Sequence, residues 1–287
     1  MSYSAEYPVD GAGLGLRRGM LPMLQDLDDS DVDFMEVAPE NWIGVGGRFG
    51  RQFHDLTERF PFLCHGLSLS IGSPAPLDVE FIRNVKLFLD EFGIRYYSEH
   101  LSFCSDDKGH LYDLMPIPFT EEAATYVAER VRQTQDILQR RIAIENISYY
   151  AAPGQQMAEA DFINTVLAEA DCGLLLDVNN IFVNSINFNY DAHEFLHKLD
   201  LERTEYIHVA GHSVEAEDLR VDTHGSDIIE PVWDLLLSAL QRIGPVATLV
   251  ERDFNFPPLE SLLGEVSRVR QLQRAIVGPR DDVQARQ

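Results

Sequence analysis

A single (β/α)8 barrel is the fold class this sequence predicts, on three observations. Eight short apolar runs that read as strands alternate with helical stretches across the 287 residues. No linker, long internal repeat or low-complexity tract interrupts that alternation. And His65, His100, Glu145, Asp177, His208 and Glu251 each fall at or within two residues of the C-terminal end of one of the runs. That end of a barrel is the face on which catalytic groups are built.

The elements follow in order. Gly11–Leu16 reads as a glycine-rich first strand, with a short helical turn around Met20–Leu27; Phe34–Val37 is the second strand and Phe49–Phe60 a helix. Leu63–Gly66 is the third strand. After a Ser/Gly/Pro loop, Leu77–Phe92 carries Phe81, Ile82, Val85, Phe88 and Leu89 at helical spacing, and Gly93 suits the residue after its end. Arg95–Glu99 is the fourth strand. The long stretch to Phe119, with Pro116 and Pro118, is expected to cross the barrel mouth as a functional loop. Thr120, Glu121 and Glu122 open a helix running to about Arg140. Arg141–Glu145 and Gly173–Asp177 are the fifth and sixth strands, each with its helix, Met157–Ala170 and Ala192–Leu199. Tyr206–Ala210 and Val246–Val250 are the last strands, followed by helices Pro231–Ile243 and Leu259–Ala275. Short apolar strands, each followed by a helix, indicate a parallel sheet. The domain is expected to span 1–287, with its core over about 11–275. The alternative is a doubly wound open sheet. Gly11-x-Gly13-x-Gly15 gives it little support, because that run lacks the third glycine of a dinucleotide fingerprint.

Composition narrows the function classes. With 45% hydrophobic residues the chain can bury a sizeable core, and its formal net charge of −24 is spread along the whole length. That field repels phosphate backbones and argues against nucleic-acid binding, while it suits cationic partners or metal ions. Cys64, Cys104 and Cys172 form no CxxC pair, which fits a reducing cytoplasm, and each is expected to be a buried small hydrophobe. The start, Met-Ser-Tyr-Ser-Ala-Glu, has neither a basic nor an apolar signal region, and no apolar run approaches a membrane span. A soluble cytoplasmic protein without membrane contact is the expectation.

Nine donors make up the chemistry: His65, His100, Glu145, Asp177, His208, His212, Asp222, His224 and Glu251. Imidazole and carboxylate without thiolate suit iron, manganese or zinc. Nine donors exceed the need of one ion. Two or three ions bridged by carboxylates such as Glu145, about 3.5–4 Å apart, would use them. The carboxylates Glu145, Asp177 and Glu251 take the catalytic assignment. Read singly, each motif has an ordinary explanation. A strand-end histidine is often a hydrogen-bonded rim residue, Asp177 can cap the turn after its strand, Glu251 can pair with Arg252 or another surface base, and Asp222-Thr223-His224 can be a polar loop. Joint placement on one face favours the metal site. Glu36, Asn41, Asn146 and Asn180 are supporting or substrate-facing candidates; His54, His193 and His197 read as surface residues, and His110 stays unassigned in the long loop.

With these motifs in view, the chain resembles the multinuclear non-haem iron-dependent oxidase family, long catalogued as an uncharacterised barrel family. The resemblance runs from about Gly11 to Ala275. It rests on Gly13-Leu14-Gly15-Leu16-Arg17, Glu36-x5-Trp42, Cys64-His65-Gly66-Leu67-Ser68, Ser98-Glu99-His100-Leu101 and Leu176-Asp177-Val178-Asn179-Asn180. It implies a xylose-isomerase-like barrel holding two or three irons, with manganese or zinc as isolated alternatives. It implies oxidation, by dioxygen, of cysteines in a ribosomally made precursor peptide, with a small partner protein that recognises the peptide's leader. By the same resemblance His65, His100, Glu145, Asp177, His208, His212, Asp222, His224 and Glu251 are the ligands. Asn180 stands where some members place another histidine, which implies a weaker or absent third iron site. No part of the chain is set aside for a leader, so Ser102–Phe119 and Asn184–Tyr190, or the partner, would supply recognition. Two other readings stay open: a redox-neutral, metal-dependent sugar isomerase or phosphoesterase, and a non-catalytic metal-binding scaffold.

Overall fold

In the computed structural model, which describes residues 9–277, eight strands close a parallel barrel in sequence order. They are β1 (Ala12–Gly15), β2 (Phe34–Val37), β3 (Phe62–Gly66), β4 (Tyr97–His100), β7 (Ala143–Glu145), β8 (Gly173–Asp177), β9 (Thr204–Ala210) and β12 (Thr248–Glu251), with β5, β6, β10 and β11 outside the barrel. β1 pairs in parallel with both β2 and β12, which closes the ring and leaves no open edge. The N-terminal Met1–Glu6, read as carrying no signal region, lies outside the described residues. No described helix is long and apolar enough to cross a membrane.

Strand side chains alternate, and in a closed barrel one set points inward. Phe34, Leu63, Ala143, Leu175, Tyr206 and Leu249 form a buried cluster of their own inside the ring. The outward set, among them Met35, Cys64, Ile144, Leu176, Ile207 and Val250, joins the larger core beneath the helices. Two residues beyond each inward hydrophobe stand Glu36, His65, Glu145, Asp177, His208 and Glu251. One strand period thus separates the floor of the barrel from its polar top. On β1 the inward positions are glycines. A Cβ on Gly13 would lie 2.5 Å from the Phe34 ring, and one on Gly15 would lie 3.3 Å from the Arg17 guanidinium. The glycine-rich first strand therefore makes room for one large ring below and one cation above.

The helices are α1 (Gly47–Arg59), α2 (Val79–Glu91), α3 (Glu121–Leu138), α4 (Glu159–Ala170), α5 (Val178–Asn187), α6 (Ala192–Lys198), α7 (Glu230–Ile243) and α8 (Leu259–Val277). Thr120 caps α3 by accepting from the Ala123 N–H, and Gly93 takes the left-handed conformation after α2 (φ 65°).

Three expectations need correction. The stretch 102–119 borders the barrel mouth, but much of it is paired strand and not loop. It begins as the antiparallel hairpin β5 (Ser102–Ser105) and β6 (His110–Pro116). Asp106 Oδ1 accepts from the Lys108 and Gly109 N–H groups at 2.8 and 3.1 Å, an Asx turn that reverses the chain. A second hairpin, β10 (Ser213–Ala216) and β11 (Leu219–Val221), carries the chain from His212 to Asp222. The supposed loop 184–190 starts inside α5, whose inner face buries Val178, Ile181 and Val183 and whose N-cap is Asp177. The turn around Met20–Leu27 is two 3-10 turns, Arg18–Met20 and Met23–Asp26, separated by Pro22.

Gly211, directly after β9, lets the segment bearing Asp222 and His224 fold back against the barrel. A Cβ there would lie 2.1 Å from the Ser226 carbonyl oxygen, a backbone atom that cannot swing aside. Gly211→Ala is expected to cost about 1–3 kcal/mol of stability, read by urea denaturation. An unchanged midpoint would show that the segment yields freely.

Candidate metal centre

All nine expected donors gather at the C-terminal mouth of the barrel, and three groups among the described residues bring ligand atoms close together: His65, Glu145 and His208; Glu36, His208 and Glu251; Asp177, His224 and Glu251. His208 belongs to two of them, and so does Glu251. Glu36, expected only as a supporting or substrate-facing residue, thus stands with the ligand-capable groups. Its signal was available: it lies two residues after inward-facing Phe34, paired in register with Leu63.

The tightest contact set is His65 Nε2, His100 Nε2 and Glu145 Oε2, separated by 3.0 Å (His65–Glu145), 3.2 Å (His100–Glu145) and 3.1 Å (His65–His100). The Gly66 carbonyl takes the His100 Nδ1–H at 2.9 Å, so the neutral His100 ring presents a bare Nε2 to the other two atoms. Two nitrogens and a carboxylate oxygen converge here on a common point. Donors about 2.0–2.1 Å from one ion, at right angles, lie about this far apart.

A second set surrounds Glu251. Its Oε2 lies 3.1 Å from His208 Nδ1 and 3.4 Å from His224 Nδ1. Its other oxygen accepts from Arg17, which also bonds Asp253 Oδ1 at 2.6 Å. Arg252 turns away to Asp227 and Glu265, so of the two ordinary pairings open to Glu251 the one with another base, Arg17, forms and the one with Arg252 does not. His224 holds a left-handed backbone (φ 47°), costly for any residue but glycine, with Nε2 2.7 Å from Asp222 Oδ1. Asn179 and Ser148 steady Asp222 at 2.7 and 3.1 Å. His212 bonds Asn179 at 2.7 Å and stacks on Phe182. His212 and Asp222 fall outside the three groups and form their outer edge.

Asp177 is both a cap and a donor: Oδ1 accepts from the Asn180 N–H at 2.7 Å, while Oδ2 has no hydrogen-bond partner. Asn146 clamps the Asp177 backbone at its N–H (3.0 Å) and carbonyl (2.8 Å). Asn180 reaches Glu145 Oε1 at 3.2 Å. Asn41 is exposed at the rim. His54, His193 and His197 are exposed on helices, and the three cysteines are buried and unpaired. Exposed His110 and buried Cys104 line a cavity of about 860 Å³ that opens above the donors, also walled by Leu67, Leu111, Leu114 and Tyr150.

Glu145 Oε2, His208 Nδ1 and His224 Nε2 are buried facing only other ligand-capable atoms of the site, at 2.7–3.2 Å, and Asp177 Oδ2 and His212 Nε2 are buried without a hydrogen-bond partner. A buried polar atom left without a partner costs about 1–3 kcal/mol. Five together, of mixed imidazole and carboxylate type, fit metal ions. Burial works against charge on His65, His208 and His224, yet neighbouring carboxylates hold all three protonated above the usual histidine range: Glu145 for His65, Glu36 and Glu251 for His208, Asp222 and Glu251 for His224. Burial, with the charge of His65, pushes His100 down to about 4. Against burial, His100 and His65 bring Glu145 to about 2. Burial, with Glu145 and Asp222, drives Asp177 well above the carboxylate range, and burial with Glu40 brings Glu99 to about 8.

These directions fix the pH response of the metal-free protein. His65, His208 and His224 contribute stability that is full below about pH 6.5 and lost as pH rises through their elevated values. Asp177 and Glu99, protonated in the fold, cost increasing stability as pH rises from about 4 through their raised values. Both trends have one sign, and His100 and His212, lowered to about 4, oppose them only up to about pH 7. The Tm of the metal-free protein is expected to fall between about pH 7 and about pH 8.5, and metal loading is expected to flatten that fall because ions replace the protons. A metal-free Tm that rises over this range contradicts the assignment. Separately, His100→Ala or Asp177→Ala is expected to lower bound metal at least about tenfold, measured by elemental analysis.

The comparisons with known proteins agree with this architecture. A UPF0276 protein of Shewanella amazonensis is 59% identical over 266 residues, covering 93% of this chain and 95% of its own. A UPF0276 protein of Pseudomonas aeruginosa is 55% identical, covering 93% of each chain. Among solved structures, a xylose isomerase domain protein from Planctomyces limnophilus aligns with a TM-score of 0.59 at 14% identity, covering 94% of this chain and 99% of that one. A D-psicose 3-epimerase from Clostridium cellulolyticum aligns with a TM-score of 0.56 at 11% identity, covering 93% and 96%. Those structures show a shared fold alone, a xylose-isomerase-like barrel. The family model of the RiPP precursor modification enzymes MbnB/TglH/ChrH matches residues 11–274, and the chain belongs to that family.

Proposed function

We propose that this protein oxidises cysteine residues of a ribosomally synthesised precursor peptide, using dioxygen and two or three iron ions held at the barrel mouth. The observation that carries the reading is the convergence of buried imidazole and carboxylate atoms on one another in three groups, beneath a cavity of about 860 Å³ that His65, His100, Glu145, His224 and Glu251 line. His65, His100 and Glu145 would hold one ion, and His208, Glu251, His224 and Asp177 the others, with Glu145, Asp177 and Glu251 as the catalytic carboxylates. Iron supplies the electron transfer with dioxygen and thiolate that amino-acid side chains lack.

The chain's own residues do the rest. Leu67, Leu111 and Leu114 give the cavity a wall that excludes water around a cysteine side chain. Arg17, tied to Glu251 and Asp253, offsets part of the negative charge and holds Glu251 so that only Oε2 faces His208 and His224. Asn146 and Asn180 fix Asp177 and Glu145 before any ion arrives. The size of the cavity suits a side chain with its flanking backbone and leaves little for a long leader. Leader recognition by a small separate protein fits that limit.

Anaerobic reconstitution with ferrous iron, followed by a cysteine peptide and partner from neighbouring genes and then air, tests the reading. Oxygen uptake with a change in peptide mass, lost in Asp177→Ala, is the expected result. Turnover with zinc and no oxygen would replace it with a redox-neutral isomerase or phosphoesterase. No turnover with any of these metals would leave a metal-binding scaffold. Full-rate modification by the barrel alone would remove the partner.

A further inference from the structure

Beneath the ligand groups runs an unbroken line of buried side chains that the reaction itself does not explain. His65 Nδ1 lies 2.7 Å from Ser98 Oγ, Ser98 Oγ 2.6 Å from Tyr206 Oη, Tyr206 Oη 2.8 Å from Glu36 Oε2, and Glu36 Oε2 3.0 Å from His208 Nε2. All five residues are at most 5% exposed. The line joins a histidine of one ligand group to the histidine shared by two of them.

We propose that Tyr206 is a positioning residue for the metal centre. Through Ser98 it decides which ring nitrogen of His65 is free to bind an ion, and through Glu36, the acceptor that orients His208, it ties the ligand groups to one another. The inference rests on the metal-centre reading and not on which reaction that centre performs.

The direction of every bond follows from counting protons. An ionised carboxylate only accepts, and each hydroxyl has one proton to give. Glu36 Oε2 therefore accepts from Tyr206 and from the His208 Nε2–H. Tyr206, its proton spent on Glu36, must accept from Ser98 at the 2.6 Å contact. Ser98, its proton spent on Tyr206, must accept from the His65 Nδ1–H. Its other acceptor, the Cys64 carbonyl, is 3.5 Å away and cannot compete. Once ions replace the second protons that the metal-free protein holds on both rings, His65 is left with a bare Nε2, the atom facing His100 and Glu145. His208 is then left with a bare Nδ1, the buried atom 3.1 Å from Glu251 Oε2. Histidine ligands are commonly fixed by a partner on the far nitrogen. Here one tyrosine between two short arms serves two histidines, and Glu36 acts as the acceptor that orients His208.

Zinc-loaded protein labelled with 15N-histidine tests this by two-bond nitrogen–proton correlation spectra, alongside zinc titration. In the wild type the expected forms are Nδ1–H for His65 and Nε2–H for His208. Tyr206→Phe keeps the ring and removes the hydroxyl. It is expected to release His65 from a single tautomer and weaken zinc binding about 10–100-fold, while His208 keeps its form through Glu36. Ser98→Ala is expected to act on His65 alone, and it decides the matter if Tyr206→Phe does not fold. Opposite tautomers in the wild type, or folded variants with His65 and zinc affinity unchanged, overturn the proposal. A wild type that binds no zinc overturns the metal-centre reading and this inference with it. Zinc binding with the expected tautomers but no cysteine oxidation leaves the inference standing and rejects only the reaction.

Discussion

Closing eight parallel strands puts their inward C-terminal residues into one small buried space, and in this protein those residues are charged or ionisable. Glu36, Glu145, Asp177, His208 and Glu251 are each no more than 6% exposed. Removing them from water is costly, and their contacts with one another offset only part of that cost. Most of the remaining structure can be read as a response. Arg17 brings a cation to Glu251 and Asp253. Tyr206 and Ser98 give hydroxyl partners to buried Glu36 and His65. Asn146, Asn179 and Asn180 supply amides to Asp177, Asp222 and Glu145. The remaining imidazole and carboxylate atoms of the three groups face one another.

Rigidity comes from the same elements that create the strain. Each donor sits on a strand end, at a helix cap or beside a hairpin, and few are on free loops. Asp177 is the last residue of β8 and the N-cap of α5, so one side chain ends a strand, starts a helix and offers a second oxygen to the centre. The two hairpins have a different task. Hairpin β5–β6 walls the cavity with His110, Leu111 and Leu114, while β10–β11 returns the chain so that Asp222 and His224 approach Glu251. Variation in these hairpins would change what enters the cavity without disturbing the strand-end donors, which is how barrels generally change substrate.

Much of this arrangement was legible in the residues themselves. The alternation of apolar strands and helices established the barrel because period-2 and period-3.6 patterns depend only on local geometry. The donors at strand ends followed because a barrel has one face where its strands finish. The hairpins were not legible. Ser102–Pro116 mixes polar and apolar residues without a clear period, and its pairing depends on an Asx turn at Asp106 and on the cavity edge beside it. Helix α5 was hidden for the opposite reason: its asparagines read as loop, and they are buried against the fifth strand's loop, where Asn184 bonds the Tyr149 N–H and the Ile147 carbonyl.

Residue type and spacing along a strand thus carried the barrel and pointed to nine candidate donors at the face where its strands end. Only the tertiary structure decided which donors meet. It brought Glu36 into a group with His208 and Glu251, which sequence spacing cannot show across 172 residues. It paired Glu251 with Arg17 in place of adjacent Arg252, because β1 and β12 are neighbours in the closed ring and Gly15 leaves space for the guanidinium. It also set the order of bonds from His65 to His208, since a line of hydrogen bonds through five residues on four separate strands exists only once the ring has closed.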